Sequence, residues 1–131
     1  MTQLNSHTNL SVLQKLNQSY KAWQEFLPNF PKTSRYTLGG KIDTLFLGTI
    51  ENIFIASYLP VKEKMPWVTK ASVKLDLLKF FLRIAWEIKA LDNKKFIALS
   101  EKLNEIGKML GGWNGNLNMP KQNSSNKSEE K

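Results

Sequence analysis

Lys74-Leu75-Asp76-Leu77-Leu78-Lys79-Phe80-Phe81-Leu82-Arg83-Ile84-Ala85-Trp86-Glu87 is the stretch on which the reading of this chain turns. Advancing about 100° per residue from Leu75, the apolar residues between Ala71 and Leu91 sweep about two thirds of a helix circumference. Ser72, Asp76, Lys79, Arg83 and Glu87 form the narrow polar stripe that remains. A helix packing one face into a bundle needs an apolar arc only somewhat wider than about 100°. This helix has more apolar surface than its own bundle consumes, and the excess is expected in an interface between copies of the chain.

Working outward, Pro66 suits a first helical turn, where its missing N–H has no partner to lose, so this helix is read over about 66–91. Upstream, Leu38, Ile42, Leu45, Thr49, Ile53 and Ala56 recur at helical spacing. They define a helix over about 34–59, capped by Thr33 or Ser34 and closed by Pro60. Gly39, Gly40 and Gly48 each cost it about 1 kcal/mol against Ala. Two explanations stand side by side: a weak turn at Gly39 and Gly40, or a close approach of another helix at Gly48. Leu10, Leu13, Leu16, Tyr20, Trp23 and Leu27 place a first helix over about 8–27, ended by Pro28 and Pro31. Leu99, Leu103, Ile106, Leu110 and Trp113 trace a narrow seam over about 93–113, with Gly111 and Gly112 as its end signal. Residues 114–131, rich in Asn, Ser and Lys, bury too little to offset ordering entropy and are expected to be a disordered polar tail. The resulting fold class is all-α: one domain over residues 1–113, an antiparallel up-down-up-down four-helix bundle.

Composition narrows the chemistry. The chain has 131 residues, 19 Lys plus Arg against 11 Asp plus Glu (net +8), one His and no Cys. A chain of this length holds a core without disulfides or metal. The absence of Cys removes thiolate nucleophiles and Cys-type metal sites, and is compatible with a reducing cytoplasm, the expected location. With His7 alone, a Glu-x-x-His di-metal bundle has no ligands, and His7 itself sits in a polar leader, read as solvent-exposed. Paired carboxylates, a Ser-His arrangement and a phosphate-cradling Gly loop are not visible, so neither catalysis nor a cofactor is expected. Neither a membrane span nor a signal-peptide core is present in the sequence pattern.

What survives is positive charge. Residues 60–92 hold Lys62, Lys64, Lys70, Lys74, Lys79, Arg83 and Lys89 against Glu63, Asp76, Glu87 and Asp92, whereas the helix before them is neutral. Lys79 and Arg83, four apart, project together and can grip neighbouring phosphates. The competing reading pairs Arg83 with Glu87 and Asp76 with Lys79 along the helix. Oligomerisation favours the first, because repeated weak phosphate contacts add into avidity.

Three blocks, Ser34-Arg35-Tyr36-Thr37-Leu38-Gly39, Lys74 to Glu87, and Glu105-Ile106-Gly107-Lys108-Met109-Leu110-Gly111-Gly112-Trp113, resemble the accessory variability determinant proteins of diversity-generating retroelements. The likeness spans all four helices and leaves out the tail. It implies a homo-oligomer, a pentameric barrel of bundles. It also implies a non-catalytic role: binding RNA, DNA or a hybrid, and docking the element's reverse transcriptase during mutagenic copying. By the same likeness, nucleic-acid contact falls to Lys79 and Arg83, with Lys74 beside them in the block. Lys79 stands where Arg is usual, keeping charge but losing the planar fork, and Lys108 matches a basic position in the last block. The bundles encoded within bacterial 23S ribosomal RNA intervening sequences are similar in size and oligomeric habit. They supply the alternative, a structural or protein-interaction oligomer with no retroelement role.

Overall fold

The computed structural model describes the backbone from Thr2 to Glu129 and the side chains of residues 11–113. It is helical throughout, with no strand among the described residues. The long helices are α1 (Thr2–Phe26), α3 (Leu38–Ser57), α4 (Val61–Glu87) and α5 (Asn93–Glu129), and a single turn, α2 (Lys32–Arg35), precedes α3. α3 packs on α1 and α4, and α5 packs on the same two helices. Most of the core between them is the one the periodicity anticipates: Leu16 and Trp23 from α1, Ile42, Leu45, Ile53 and Ala56 from α3, and Leu99, Leu103, Ile106, Leu110 and Trp113 from α5 are all buried, whereas Leu13, Tyr20 and Leu27 are half-buried and Val12 and Ser19 complete the core face of α1. α4 adds Val68, Ala71, Leu75, Leu78, Leu82 and Ala85.

Several boundaries differ from the pattern, each for a local reason. The segment 34–59 is not one helix: it breaks at Tyr36 and Thr37, and no side-chain cap forms on either piece. The break is held by Arg35, whose Nη2 donates to the carbonyls of Pro28 at 2.8 Å and Phe30 at 3.0 Å. Gly39 then packs where a Cβ would come within 2.9 Å of Leu27 Cδ1. At Gly48 the close neighbour is the side chain of Lys74, not a helix backbone. The turn falls at Tyr36 and Thr37, ahead of Gly39 and Gly40, which are helical; close packing accounts for Gly39, and the approach at Gly48 is made by a lysine side chain.

α4 begins at Val61, so Pro66 lies inside the helix. As the sixth residue of the helix it lies past the first turn, so its ring takes one backbone N–H out of the ladder. α4 ends at Glu87, four residues before Leu91. Lys89 takes φ 67°, its N–H donates to Trp86 O at 3.0 Å, and the Ala90 N–H donates to Ala85 O at 2.8 Å. This is a Schellman closure with lysine where glycine is usual, which is why no Gly announces it. Gly111 and Gly112 do not end α5: no glycine among the described residues has positive φ, and the helix runs through them. The expectations for the tail over 114–131 and for His7 fall outside the residues whose side chains are described.

Candidate nucleic-acid interface

The polar stripe of α4 lies along its flank against α5. Gly107 on α5 makes the room: a Cβ there would stand 3.3 Å from Lys79 Nζ and 3.6 Å from Leu75 Cδ2, so the lysine stem lies across a helix surface that has no side chain. Lys79 is half-buried and has no carboxylate within ion-pair distance among the described residues. Its proposed internal partner Asp76 is not engaged with it. Arg83, one turn on, does pair: its Nε meets Glu87 Oε2 at 3.2 Å. Both side chains are more than half exposed, so the pair is worth only a few tenths of a kcal/mol, and phosphate oxygens compete with it at little cost. Nε is the single Arg83 donor engaged there.

The other two residues lie elsewhere. Lys74 is about 140° around the helix from Lys79. It lies along Gly48 on α3, with Cδ and Nζ 3.2 Å and 3.3 Å from where a Cβ would stand. Around it the α3/α4 seam carries two cations that sequence reasoning did not single out: Lys41 Nζ is 5.9 Å from the Phe81 ring centroid and Lys70 Nζ is 4.2 Å from that of Trp67. Lys108 is exposed on α5, next to the Gly107 that Lys79 crosses. The structure thus brings Lys79 and Arg83 together, leaves Lys108 exposed on α5 beside Gly107, and separates Lys74 to the opposite seam.

The apolar excess of α4 is real and faces away from the core. Val73, Leu77 and Phe80 are 54 %, 42 % and 56 % exposed, on one stripe at i, i+4, i+7. Leu47, Phe54 and Tyr58 expose a matching stripe on α3.

Sequence reasoning also missed Lys64. It is 3 % exposed and its Nζ donates to Ala56 O at 2.5 Å, near the C-terminus of α3, where a cation complements the helix dipole. Its ammonium stands 5.9 Å from the Trp113 ring centroid, and burial holds its pKa below the ordinary lysine value. A signal was present: Lys64 falls in the register of Val68, Ala71 and Leu75. Among the described residues no group of His, Asp or Glu is arranged to hold a metal, and no helix is long and apolar enough to cross a membrane.

Against this geometry, the family model for bAvd-like proteins matches residues 10–117 of the chain. Comparison with curated proteins and with solved structures gives no match.

Proposed function

The chain belongs to the bAvd-like family, and from that premise we propose that it is a non-catalytic accessory protein of a diversity-generating retroelement, acting in the cytoplasm. It binds RNA, DNA or a hybrid through the cations on the α5 flank of α4 and docks the element's reverse transcriptase for mutagenic copying. The four long helices form an antiparallel up-down-up-down bundle. This topology is supported by pairings that fall along α3 as they rise along α4: Ala56 with Lys64, Gly48 with Lys74, Lys41 with Phe81. Copies assemble through the outward apolar stripes of α3 and α4, five to a barrel by the family resemblance, and each repeats the Lys79 and Arg83 pair.

The observation that carries this reading is the family match over residues 10–117. The unpaired Lys79 beside a weakly paired Arg83 supplies the chemistry. Fluorescence anisotropy with labelled RNA and DNA at two salt concentrations tests it. Affinity falls as salt rises, and falls further in a Lys79→Ala, Arg83→Ala protein with a shallower salt slope. Affinity indifferent to both substitutions rejects this surface. The Arg83–Glu87 ion pair favours the second reading, a structural or protein-interaction oligomer of the ribosomal RNA intervening-sequence type, which requires no salt-dependent affinity at all.

A further inference from the structure

The turn between α4 and α5 opens a groove of about 570 Å³ lined by Trp86, Glu87, Lys89, Leu91, Asp92 and Asn93. One wall is aromatic and fixed in place. The Trp86 indole stacks on Phe96 with centroids 4.9 Å apart and planes within 10°, and its Nε1 donates to Asn93 Oδ1 at 2.6 Å. Even so, 37 % of Trp86 stays exposed, flanked by Ile88 and Ile97 at 54 % and 53 %. An indole already ordered by its own neighbours loses little further entropy when a flat partner stacks on it.

Each of the two carboxylates at this wall is met by a cation. Glu87 is engaged by Arg83. Asp92 Oδ1 accepts the Lys95 backbone N–H at 2.9 Å, and its Oδ2 lies 3.9 Å from Lys95 Nζ. Lys79 and Arg83 stand on the same flank of α4 as Trp86, within about 10 Å along the helix axis. Lys89 sits at the mouth of the groove and is the one non-glycine residue with positive φ among those described.

We propose that this groove takes an unpaired nucleobase: a single-stranded RNA or DNA segment stacks a base on Trp86 while Lys79 and Arg83 hold adjacent phosphates. This rests on the nucleic-acid reading above and narrows its partner to single strands, since the bases of a duplex have no free faces to offer.

The test uses the full chain and labelled 20-mer oligonucleotides: single-stranded RNA, single-stranded DNA, the corresponding duplex, and an abasic strand of equal charge. Both single strands bind at least tenfold tighter than the abasic strand and tighter than the duplex, and they quench tryptophan fluorescence. Trp86→Leu loses about tenfold in affinity, whereas Trp86→Phe keeps affinity within about threefold and loses the quenching. Should Trp86→Leu fail to fold, the abasic comparison on the unaltered protein and the Trp86→Phe quenching decide alone. Equal binding of abasic and base-bearing strands, or duplex preference, overturns the stacking site while leaving salt-dependent charge contact intact. Absence of binding by every oligonucleotide overturns both. Capture of a protein segment by the groove, with no effect of bases, also counts against it.

Discussion

Lys89→Gly is expected to stabilise the protein, and the size of the gain follows from one dihedral angle. Lys89 closes α4 at φ 67°, with backbone bonds of 3.0 Å from its own N–H and 2.8 Å from that of Ala90 holding it there. The left-handed conformation costs a residue with a Cβ about 1–2 kcal/mol, a penalty glycine escapes. Glycine gives back about 0.4–1 kcal/mol through its greater freedom in the unfolded chain. The net is a gain of about 0.5–1 kcal/mol, because the exposed Lys89 side chain makes no ion pair that would be lost among the described residues. Urea denaturation reads it as a higher midpoint with unchanged slope, and thermal melting as a rise of about 2–5 °C. Lys89→Ala removes the same side chain and keeps the strain, so it stays within about 0.5 kcal/mol of the parent. If the glycine variant is no more stable than the alanine variant, the closure does not carry the strain assigned to it.

Gly107→Ala should gain up to about 1 kcal/mol of helix stability, since the obstructing atom is the mobile end of Lys79; chemical denaturation gives the gain, and anisotropy reads the shift of Lys79 as altered nucleic-acid affinity. Gly40→Ala, with open space around it, should gain more than Gly39→Ala, where Leu27 Cδ1 at 2.9 Å has to move. Lys64 has its pKa lowered from 10.5 by burial, so the unfolded chain binds more protons between the lowered value and 10.5. Its contribution to stability therefore rises as pH climbs through that window, and Lys64→Met abolishes the rise; urea midpoints compared at about pH 8 and about pH 10 should show a smaller difference for the variant, and an identical difference would rule the argument out. Leu77→Glu with Phe80→Glu changes side chains that are 42 % and 56 % exposed, so helicity should survive while light scattering reports a smaller particle. An unchanged mass would place the contact between copies elsewhere.

Most of the fold is legible where one helix face meets one core. The α5 seam from Leu99 to Trp113 and the α3 series from Ile42 to Ala56 are buried as their spacing requires, although α3 also leaves Leu47 and Phe54 exposed on its other face. The ends of helices are less legible, since they depend on single dihedrals and local bonds. Lys89 adopts the conformation that a sequence signals through glycine, and Arg35 reaches back to two carbonyls to make a break that periodicity runs straight across. In the candidate site the Lys79 and Arg83 pairing was readable from a spacing of four, whereas its groove was not. The groove depends on Trp86 meeting Phe96 and Asn93 across a turn, and the resting place of Lys79 depends on Gly107 in a distant part of the chain. Lys64 was missed because its charge outweighs its register in any reading of side-chain type.

On the proposed reading, the arrangement of α4 lets a single helix serve assembly and binding at once. Its core arc holds Leu75, Leu78 and Leu82. Its outward arc carries Val73, Leu77 and Phe80, and its α5 flank carries Lys79, Arg83 and the edge of Trp86. On the proposed reading, a partner copy covering the outward arc would leave the α5 flank uncovered, so assembly would not desolvate Lys79 and Arg83. Had Lys79 stood among Leu77 and Phe80, each contact between copies would bury an unpaired ammonium, at a cost of several kcal/mol per ion. In the proposed assembly, separation of these arcs around one circumference would let charge accumulate with each added copy, and it requires both the wide apolar sweep of the helix and the bare surface that Gly107 offers to Lys79.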